Sequence, residues 1–247
     1  MTTTRCLVLG LAGLLLMTGA CSPSPTAQAG TARAGQSRVL LLGDSVAAGE
    51  ALPLAAAFEA GGVGFRSIAA DGGGNVVGPF AEENWKELPG RITSADPTVV
   101  VYQITTYDWG GRPAQQAGYE RLLHTVTGAG ADLVFVTMPP IRPDDFYRPH
   151  MADLARTADV ARAVAAKSSG RARVLDSGEV WGSTYQRTRD GRADRSADGI
   201  HTCPQGAARF TSWLLTGLVA VLPGFTPPAA GTWANTGWSA DDHFRGC

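Results

Sequence analysis

The chain has 247 residues, of which 44% are apolar and 17% are charged, and its formal net charge is -1. This composition is typical of one folded globular domain and excludes a disordered chain or a repeat array. The near balance of 21 basic and 22 acidic residues argues against a nucleic-acid partner, because such proteins need a surface that neutralises phosphates.

The first predicted element is an export signal. An apolar or small run extends from Cys6 to Met17 and is too short to span a bilayer. The segment ending at Cys21 resembles a bacterial lipobox, whose cysteine is lipidated, although ordinary signal cleavage after Ala29 is the alternative. We therefore expect a signal peptide at 1–20 and a membrane partner through a lipid anchor on Cys21. The protein would sit on the outer face of the bacterial cell membrane, or otherwise be secreted.

The mature chain is predicted to be one domain between two less regular segments. Residues 21–37 are mostly small or polar and predict a flexible tether. The domain is expected at 38–222, followed by a C-terminal tail at 223–247 that packs on it, in a monomeric protein. In an oxidising compartment, a disulfide between Cys203 and Cys247 is favoured over two free thiols.

Short apolar runs alternate with helical patterns along the domain. Strands are predicted at 39–42, 64–69, 98–102, 133–138 and 172–175. Helices are predicted at 47–60, 82–94 with an interruption at Pro89 and Gly90, 113–128, 151–168 and 204–222. This alternation predicts a parallel, doubly wound α/β sheet, whose ligand site lies beyond the carboxyl ends of the strands.

The first strand ends in Gly43-Asp44-Ser45-Val46, directly before a helix. A serine at this position would direct its hydroxyl into the crevice, and its backbone N–H could stabilise an oxyanion. Ser45 is therefore a candidate nucleophile, whereas Asp44 is expected to brace the turn. The alternative is that both residues serve only as helix caps.

A second motif, Asp198-Gly199-Ile200-His201, precedes the last helix. A histidine held by a carboxylate is the partner that a nucleophilic serine needs, because the imidazole must accept the hydroxyl proton in the correct tautomer. Thr202 and Gln205 have the spacing of a capping box for that helix. The other histidines are expected to be surface or packing residues; they are His124, His150 and His243.

Together, GDSV at 43–46 and DGIH at 198–201 resemble the SGNH or GDSL-type serine esterases and lipases, with some similarity to the SGNH domains of cell-wall glycan acyltransferases. The similarity extends from about Val39 to Leu222. It implies a flavodoxin-like three-layer α/β/α sandwich and ester chemistry without a cofactor. It also implies that Ser45 is the nucleophile, His201 the base and Asp198 the residue that orients the base.

The oxyanion hole of this family includes a glycine N–H and an asparagine side chain. Ser45 and Gly72 are the predicted backbone donors, with Gly74 as the alternative. Tyr107 stands where the family has asparagine, so one donor is missing or replaced. Three residues remain as substitutes: Asn75, Thr106 and Tyr107.

The sequence says less about the substrate. The segment 139–149 is expected to form a wall or lid, and Trp109, Trp181 and Tyr185 either stack on sugar rings or cover the core. Arginines that alternate with aspartates at 187–195 predict a solvated loop. No metal motif is present in the sequence.

We expect an exported serine esterase that hydrolyses or transfers small acyl groups, with an acylated glycan or another small ester as substrate. The alternative is a binding or scaffolding lipoprotein without catalysis.

Overall fold

The computed structural model describes residues 1–2 and 37–247. Cys21 and nearly all of the predicted signal peptide and tether lie outside the described residues. No helix in the described part of the chain is long and apolar enough to span a membrane.

A five-stranded parallel sheet in the order β2-β1-β3-β4-β5 forms the centre of the domain. Its strands are β1 (Arg38–Leu42), β2 (Gly64–Ser67), β3 (Val99–Gln103), β4 (Asp132–Val136) and β5 (Ala172–Leu175). In the register of the sheet, Leu40 lies opposite Val100, which lies opposite Leu133. All three side chains are buried, as expected for strands covered on both faces.

Helices cover both faces of this sheet. They are α1 (Ser45–Ala60), α2 (Ala81–Ala95), α3 (Arg112–Gly128), α4 (Met151–Leu154), α5 (Thr157–Ala166), α6 (Gly178–Trp181) and α7 (Pro204–Leu218). One apolar core lies between the sheet and α2, α3 and α5, and a second lies between the sheet, α1 and α7. A short hairpin of β6 (Thr188–Arg189) and β7 (Arg192–Ala193) precedes α7. The predicted three-layer α/β/α sandwich is confirmed.

Three predicted helices have different limits in the structure. The helix predicted at 151–168 is divided into α4 and α5, because the Thr157 hydroxyl donates to the Leu154 carbonyl at 2.7 Å and competes with the backbone ladder. α2 continues through Pro89, since Leu88 and Ile92 on either side are buried in the core. The last helix ends at Leu218 rather than at 222.

The predicted capping box at the start of α7 is wrong. Cys203, not Thr202, is the N-cap residue, and it makes no side-chain capping bond. Thr202 instead pairs with Arg195 in an isolated antiparallel bridge. Its hydroxyl therefore faces α1, where a Cβ on Gly49 would lie 3.7 Å away.

The C-terminal tail lies along α1. Phe225 contacts Phe58 at a ring-centroid distance of 6.1 Å, Trp233 is fully buried, and Phe244 lies close to Gly49. The tail ends in the predicted disulfide between Cys203 and Cys247, with Cα atoms 5.6 Å apart. The bond ties the last residue of the chain to the start of α7.

Candidate active site

Ser45 is the first residue of α1 and follows the carboxyl end of β1. Asp44 is the N-cap, and its carboxylate accepts a hydrogen bond from the Val46 amide at 3.1 Å. Ser45 is half-buried, and its backbone N–H belongs to the first helical turn, whose donors have no acceptor within the helix. Its hydroxyl and its N–H are thus both at the sheet edge where parallel α/β folds bind ligands.

The structure brings Ser45, His201 and Asp198 together. His201 Nε2 lies 2.8 Å from Ser45 Oγ, and His201 Nδ1 lies 2.8 Å from Asp198 Oδ2. A carboxylate is only an acceptor, so Nδ1 carries the proton and Nε2 is free to accept one from the serine hydroxyl. This geometry is that of a nucleophile, a general base and an orienting carboxylate.

Asp198 is held as an anion. Its second oxygen accepts the amides of Ile200 at 2.7 Å and His201 at 3.0 Å. Partial burial raises the pKa of Asp198, but the hydrogen bonds from His201 and these two amides outweigh burial and lower the pKa to about 2. The turn depends on Gly199, where φ is +89° and a Cβ would lie 2.8 Å from that of Arg142.

Arg195 supports the loop that carries His201. Its guanidinium is buried and donates to the carbonyls of Ile200 and, at 2.9 Å, Pro140. The prediction of a solvated loop at 187–195 is wrong at Arg195 and at Asp194, because both side chains are buried and Arg209 pairs with Asp194. Arg195 is a positioning residue that sequence reasoning missed, since charge alternation along a loop does not show which side chain points inward.

The C-terminal tail holds the same loop from the other side. The Gly246 carbonyl accepts hydrogen bonds from the Ala197 amide and the Ser196 hydroxyl, each at 3.2 Å. The disulfide fixes Cys203, two residues beyond His201. The loop is therefore fastened immediately before Asp198 and immediately after His201.

The glycine-rich segment 71–75 lies against the turn that carries Ser45. The backbone of Gly74 has φ +71°, and a Cβ there would lie 2.1 Å from the Gly43 carbonyl oxygen, so only glycine fits. Gly72 is exposed, and the space around its Cβ position is open. The contact with Gly43 thus places Gly74, the alternative donor, closer than Gly72 to the turn that carries Ser45.

Two buried aspartates join the loop after β3 to the rest of the site. Asp44 Oδ2 accepts from the amide and hydroxyl of Thr106, at 2.7 and 2.8 Å. Burial raises the pKa of Asp44, and the bonds from Thr106 and Val46 oppose that rise. These bonds place the loop that carries Tyr107 beside Ser45.

The second of these aspartates, Asp108, accepts hydrogen bonds from Tyr102 at 2.6 Å, from Tyr119 at 3.2 Å, and from the amides of Val76 and Thr105 at 3.3 Å. Burial raises its pKa to about 7 even though all four donors lower it. Asp108 therefore ties the glycine-rich segment to the loop after β3. Its place at the carboxyl end of a buried strand was a signal that sequence reasoning did not use.

Two of the three proposed substitutes for the asparagine donor are already engaged. Both Thr106 donors go to Asp44, and the buried Asn75 amide donates to the Val77 carbonyl at 2.7 Å. Tyr107 does not point into open solvent, because its ring packs against other aromatic rings at the rim of the site. Backbone N–H groups are therefore the main candidates for an oxyanion hole.

The aromatic side chains singled out in the sequence divide between core and site. Trp181 is buried against Phe210 and covers the core. The Tyr185 hydroxyl donates to the Ser196 carbonyl at 3.1 Å, which supports the His201 loop. Trp109 stacks on His150 with centroids 3.8 Å apart, near the segment 139–149. His124 is exposed on α3.

No protein-family model matches this chain, and no curated protein matches its sequence. Solved structures do match it. A protein assigned to the SGNH hydrolases from Slackia heliotrinireducens is 21% identical, with a TM-score of 0.54 over 72% of this chain and 96% of the other. A GDSL-like lipase from Bacteroides thetaiotaomicron is 10% identical, with a TM-score of 0.57 over 78% of this chain and 92% of the other.

A third solved structure is an acetylxylan esterase from Geobacillus stearothermophilus, which is 12% identical, with a TM-score of 0.53 over 74% of this chain and 94% of the other. At these low identities the comparison shows a shared fold and nothing more. The order of the strands and the helices on both faces agree with that result. This chain therefore has the three-layer fold of the SGNH hydrolases.

Proposed function

We propose that this protein is a serine esterase that removes small acyl groups from their esters. The observation that carries the proposal is the continuous hydrogen-bonded series from Ser45 Oγ through His201 to Asp198, with both links at 2.8 Å. The solved structures with a similar fold are hydrolases and esterases, which supports hydrolase activity for this protein.

The geometry supports the following reaction. Ser45 Oγ attacks the carbonyl carbon of the ester as its proton passes to His201 Nε2. The negative charge on the carbonyl oxygen faces the N–H groups of Ser45 and Gly74. His201 then gives the proton to the departing alcohol oxygen as the carbon–oxygen bond breaks, which leaves an acyl group on Ser45. A water molecule activated by His201 releases the acid, or another hydroxyl takes the acyl group in a transfer.

Acylated glycans are the proposed natural substrates, hydrolysed at the cell envelope. An acetylxylan esterase among the structural neighbours supports a carbohydrate ester. Lipidation at Cys21 and export, proposed from the sequence alone, would place the domain outside the cell, where such glycans occur. No cofactor takes part in the proposed reaction.

A binding or scaffolding lipoprotein without catalysis is the second candidate. It is favoured by Tyr107, which occupies the expected asparagine position and packs among aromatic rings. The loss of one oxyanion donor costs about 3–4 kcal/mol of barrier in another hydrolase. This candidate predicts a folded protein that is inert towards esters.

The test compares wild-type protein with Ser45→Ala on aryl acetates and O-acetylated sugars. We expect Ser45→Ala to lower kcat by about 10³-fold or more and to leave the free energy of unfolding within about 1 kcal/mol. Ser212→Ala, which removes an exposed hydroxyl on α7, is the matched control and should retain full activity. Equal turnover by wild type and Ser45→Ala would refute the proposal, and an inert wild-type protein would favour the binding lipoprotein.

A further inference from the structure

A set of aromatic side chains lies at the rim of the Ser45 crevice. It comprises Phe80, Tyr107, Trp109, Phe146 and Tyr147, which we call the aromatic rim. Phe80 comes before α2, the next two residues follow β3, and the last two follow β4. Residues from three separate loops thus meet at the carboxyl edge of the sheet.

Direct contacts connect the aromatic rim to the nucleophile. The Thr106 hydroxyl, which binds Asp44 beside Ser45, lies 3.3 Å from the Tyr147 hydroxyl. On the other side, a Cβ at Gly73 would lie 3.4 Å from Phe80 Cβ, and the adjacent Gly74 packs on Gly43. The rim therefore extends from the proposed oxyanion side to the segment 139–149.

Phe80 and Phe146 leave much of their surface in solvent, with 56% and 52% of their areas exposed. Apart from Met1, they are the most exposed large apolar residues within the described residues. Exposed aromatic surface has a hydration cost, and two such residues beside one candidate site indicate a ligand-binding surface.

The backbone of Phe80 supports a ligand-binding role. It lies in the left-handed region at φ 54° and ψ -8°, which is unfavourable for a bulky residue. Phe80 is also the N-cap of α2 and makes no capping bond, whereas serine, aspartate or asparagine would stabilise the helix there. Its half-exposed ring offsets neither cost through burial, and such strain is concentrated at ligand sites.

We infer that the aromatic rim binds the sugar part of the substrate alcohol, with the exposed rings of Phe80 and Phe146 each stacking on the C–H face of a pyranose ring. The inference rests on the proposed esterase function of Ser45. A sugar has an apolar face and polar edges, and the same rim offers both kinds of contact. Around the rings lie the His150 imidazole and the exposed Asp145 and Arg148 side chains, which are hydrogen-bonding groups for sugar hydroxyls.

An acyl chain fits this surface less well. Long acyl chains are held in grooves lined by aliphatic side chains, whereas the exposed large apolar side chains of the rim, Phe80 and Phe146, are both aromatic. Most neighbouring rings of the rim meet edge to face, for example Phe80 and Tyr107 at 72°, so their faces point in different directions. This arrangement offers flat faces to a ring rather than a continuous channel to a chain.

Binding should be measured without turnover, in protein carrying Ser45→Ala, by calorimetry with xylotriose, cellotriose and chitotriose as probes. We expect at least one of these trisaccharides to bind. Adding Phe80→Ala should then weaken binding about tenfold, Phe80→Leu should weaken it by a similar factor, and Phe80→Trp should restore it to within about twofold. Val219→Ala removes exposed apolar surface from the end of α7 and should leave binding unchanged.

Two results would overturn the inference: no binding of any trisaccharide by folded Ser45→Ala protein, or full binding by the Phe80→Leu variant, since leucine supplies apolar area without an aromatic face. The esterase proposal fails separately. Trisaccharide binding by a wild-type protein that hydrolyses no ester would leave the aromatic rim in place and remove the catalytic function. Hydrolysis of simple esters without trisaccharide binding would support the catalytic function and remove the sugar-binding role of the aromatic rim.

Discussion

The two sides of the Ser45 crevice are constructed differently. On the His201 side, side chains make the proposed catalytic contacts, and Arg195, Gly246 and the disulfide hold the loop in place. On the side of the glycine-rich segment, the candidate donors are backbone N–H groups, and the surrounding side chains are largely aromatic. The proposed general base is thus supported by many contacts, whereas the proposed oxyanion hole depends on fewer groups.

His201→Asn removes the proposed general base and should have the largest effect on activity. Asparagine retains a hydrogen-bonding group but does not take up the serine proton at neutral pH, so kcat should fall by about 10⁴-fold. Ester kinetics of the wild type and the variant measure the effect, with His124→Asn on α3 as the control. Retention of most activity in His201→Asn would show that another base acts.

Removal of the disulfide tests the support of the same side. Closing a loop of about 45 residues stabilises the fold by about 4 kcal/mol in the chain-entropy model. Cys247→Ser, or reduction of the wild type, should therefore lower the melting temperature. It should also lower kcat, because the Gly246 carbonyl would hold Ala197 less firmly. Peptide mapping without reductant is the check, and two freely alkylated thiols would contradict the bond.

Tyr107→Asn tests the proposed oxyanion hole on the side of the glycine-rich segment. If the oxyanion side lacks a side-chain donor, an amide at this position should raise kcat on aryl acetates by about tenfold. The same change removes a ring from the aromatic rim and should raise KM for acetylated sugars. Steady-state kinetics on both substrates separate the two effects. A lower kcat on the aryl acetate would show that the Tyr107 side chain itself contributes to the reaction.

The smallest effect is expected at His243, where the tail meets the glycine-rich segment. Its Nδ1 lies 2.7 Å from Asp241 and its Nε2 lies 3.0 Å from Asp71, and these hydrogen bonds raise the pKa of His243 above 6.5. The charged form of His243 binds both carboxylates and thereby stabilises the fold. This contribution to folding stability is complete below the unfolded-state pKa and is lost as pH rises through the higher folded-state pKa.

His243→Gln should therefore lower the melting temperature by about 1–3 °C at pH 5.5 and have little effect at pH 9. Thermal melts of the wild type and variant at the two pH values test this expectation. Added salt should reduce the difference at pH 5.5, because the pairs are partly exposed. An equal difference at both pH values would mean that the ring acts through packing rather than charge.

The sequence predicted what short local patterns determine. The alternation of buried strands and helices indicated the sheet, and the motifs around Ser45 and His201 indicated residues that meet 156 positions apart. Local patterns did not show which loop side chains point inward. Arg195 belongs to a stretch of alternating charges, yet tertiary contacts bury its side chain. Thr202 has the spacing of a capping residue, but its backbone pairs with that of Arg195 instead.

The oxyanion side was harder to predict because distant backbone contacts set its geometry. Gly72 and Gly74 look equivalent in the sequence, and only the contact with Gly43 distinguishes them. The left-handed conformation of Phe80 likewise has no sequence signal, because residues of that kind rarely adopt it.

The most direct test of a nucleophilic Ser45 is labelling with a fluorophosphonate, followed by intact mass measurement and peptide mapping. We expect one label per chain, located on the peptide that contains Ser45, with no label on Ser45→Ala and much slower labelling of His201→Asn. A folded wild-type protein that takes up no label, or one labelled at a different residue, would show that Ser45 is not the nucleophile.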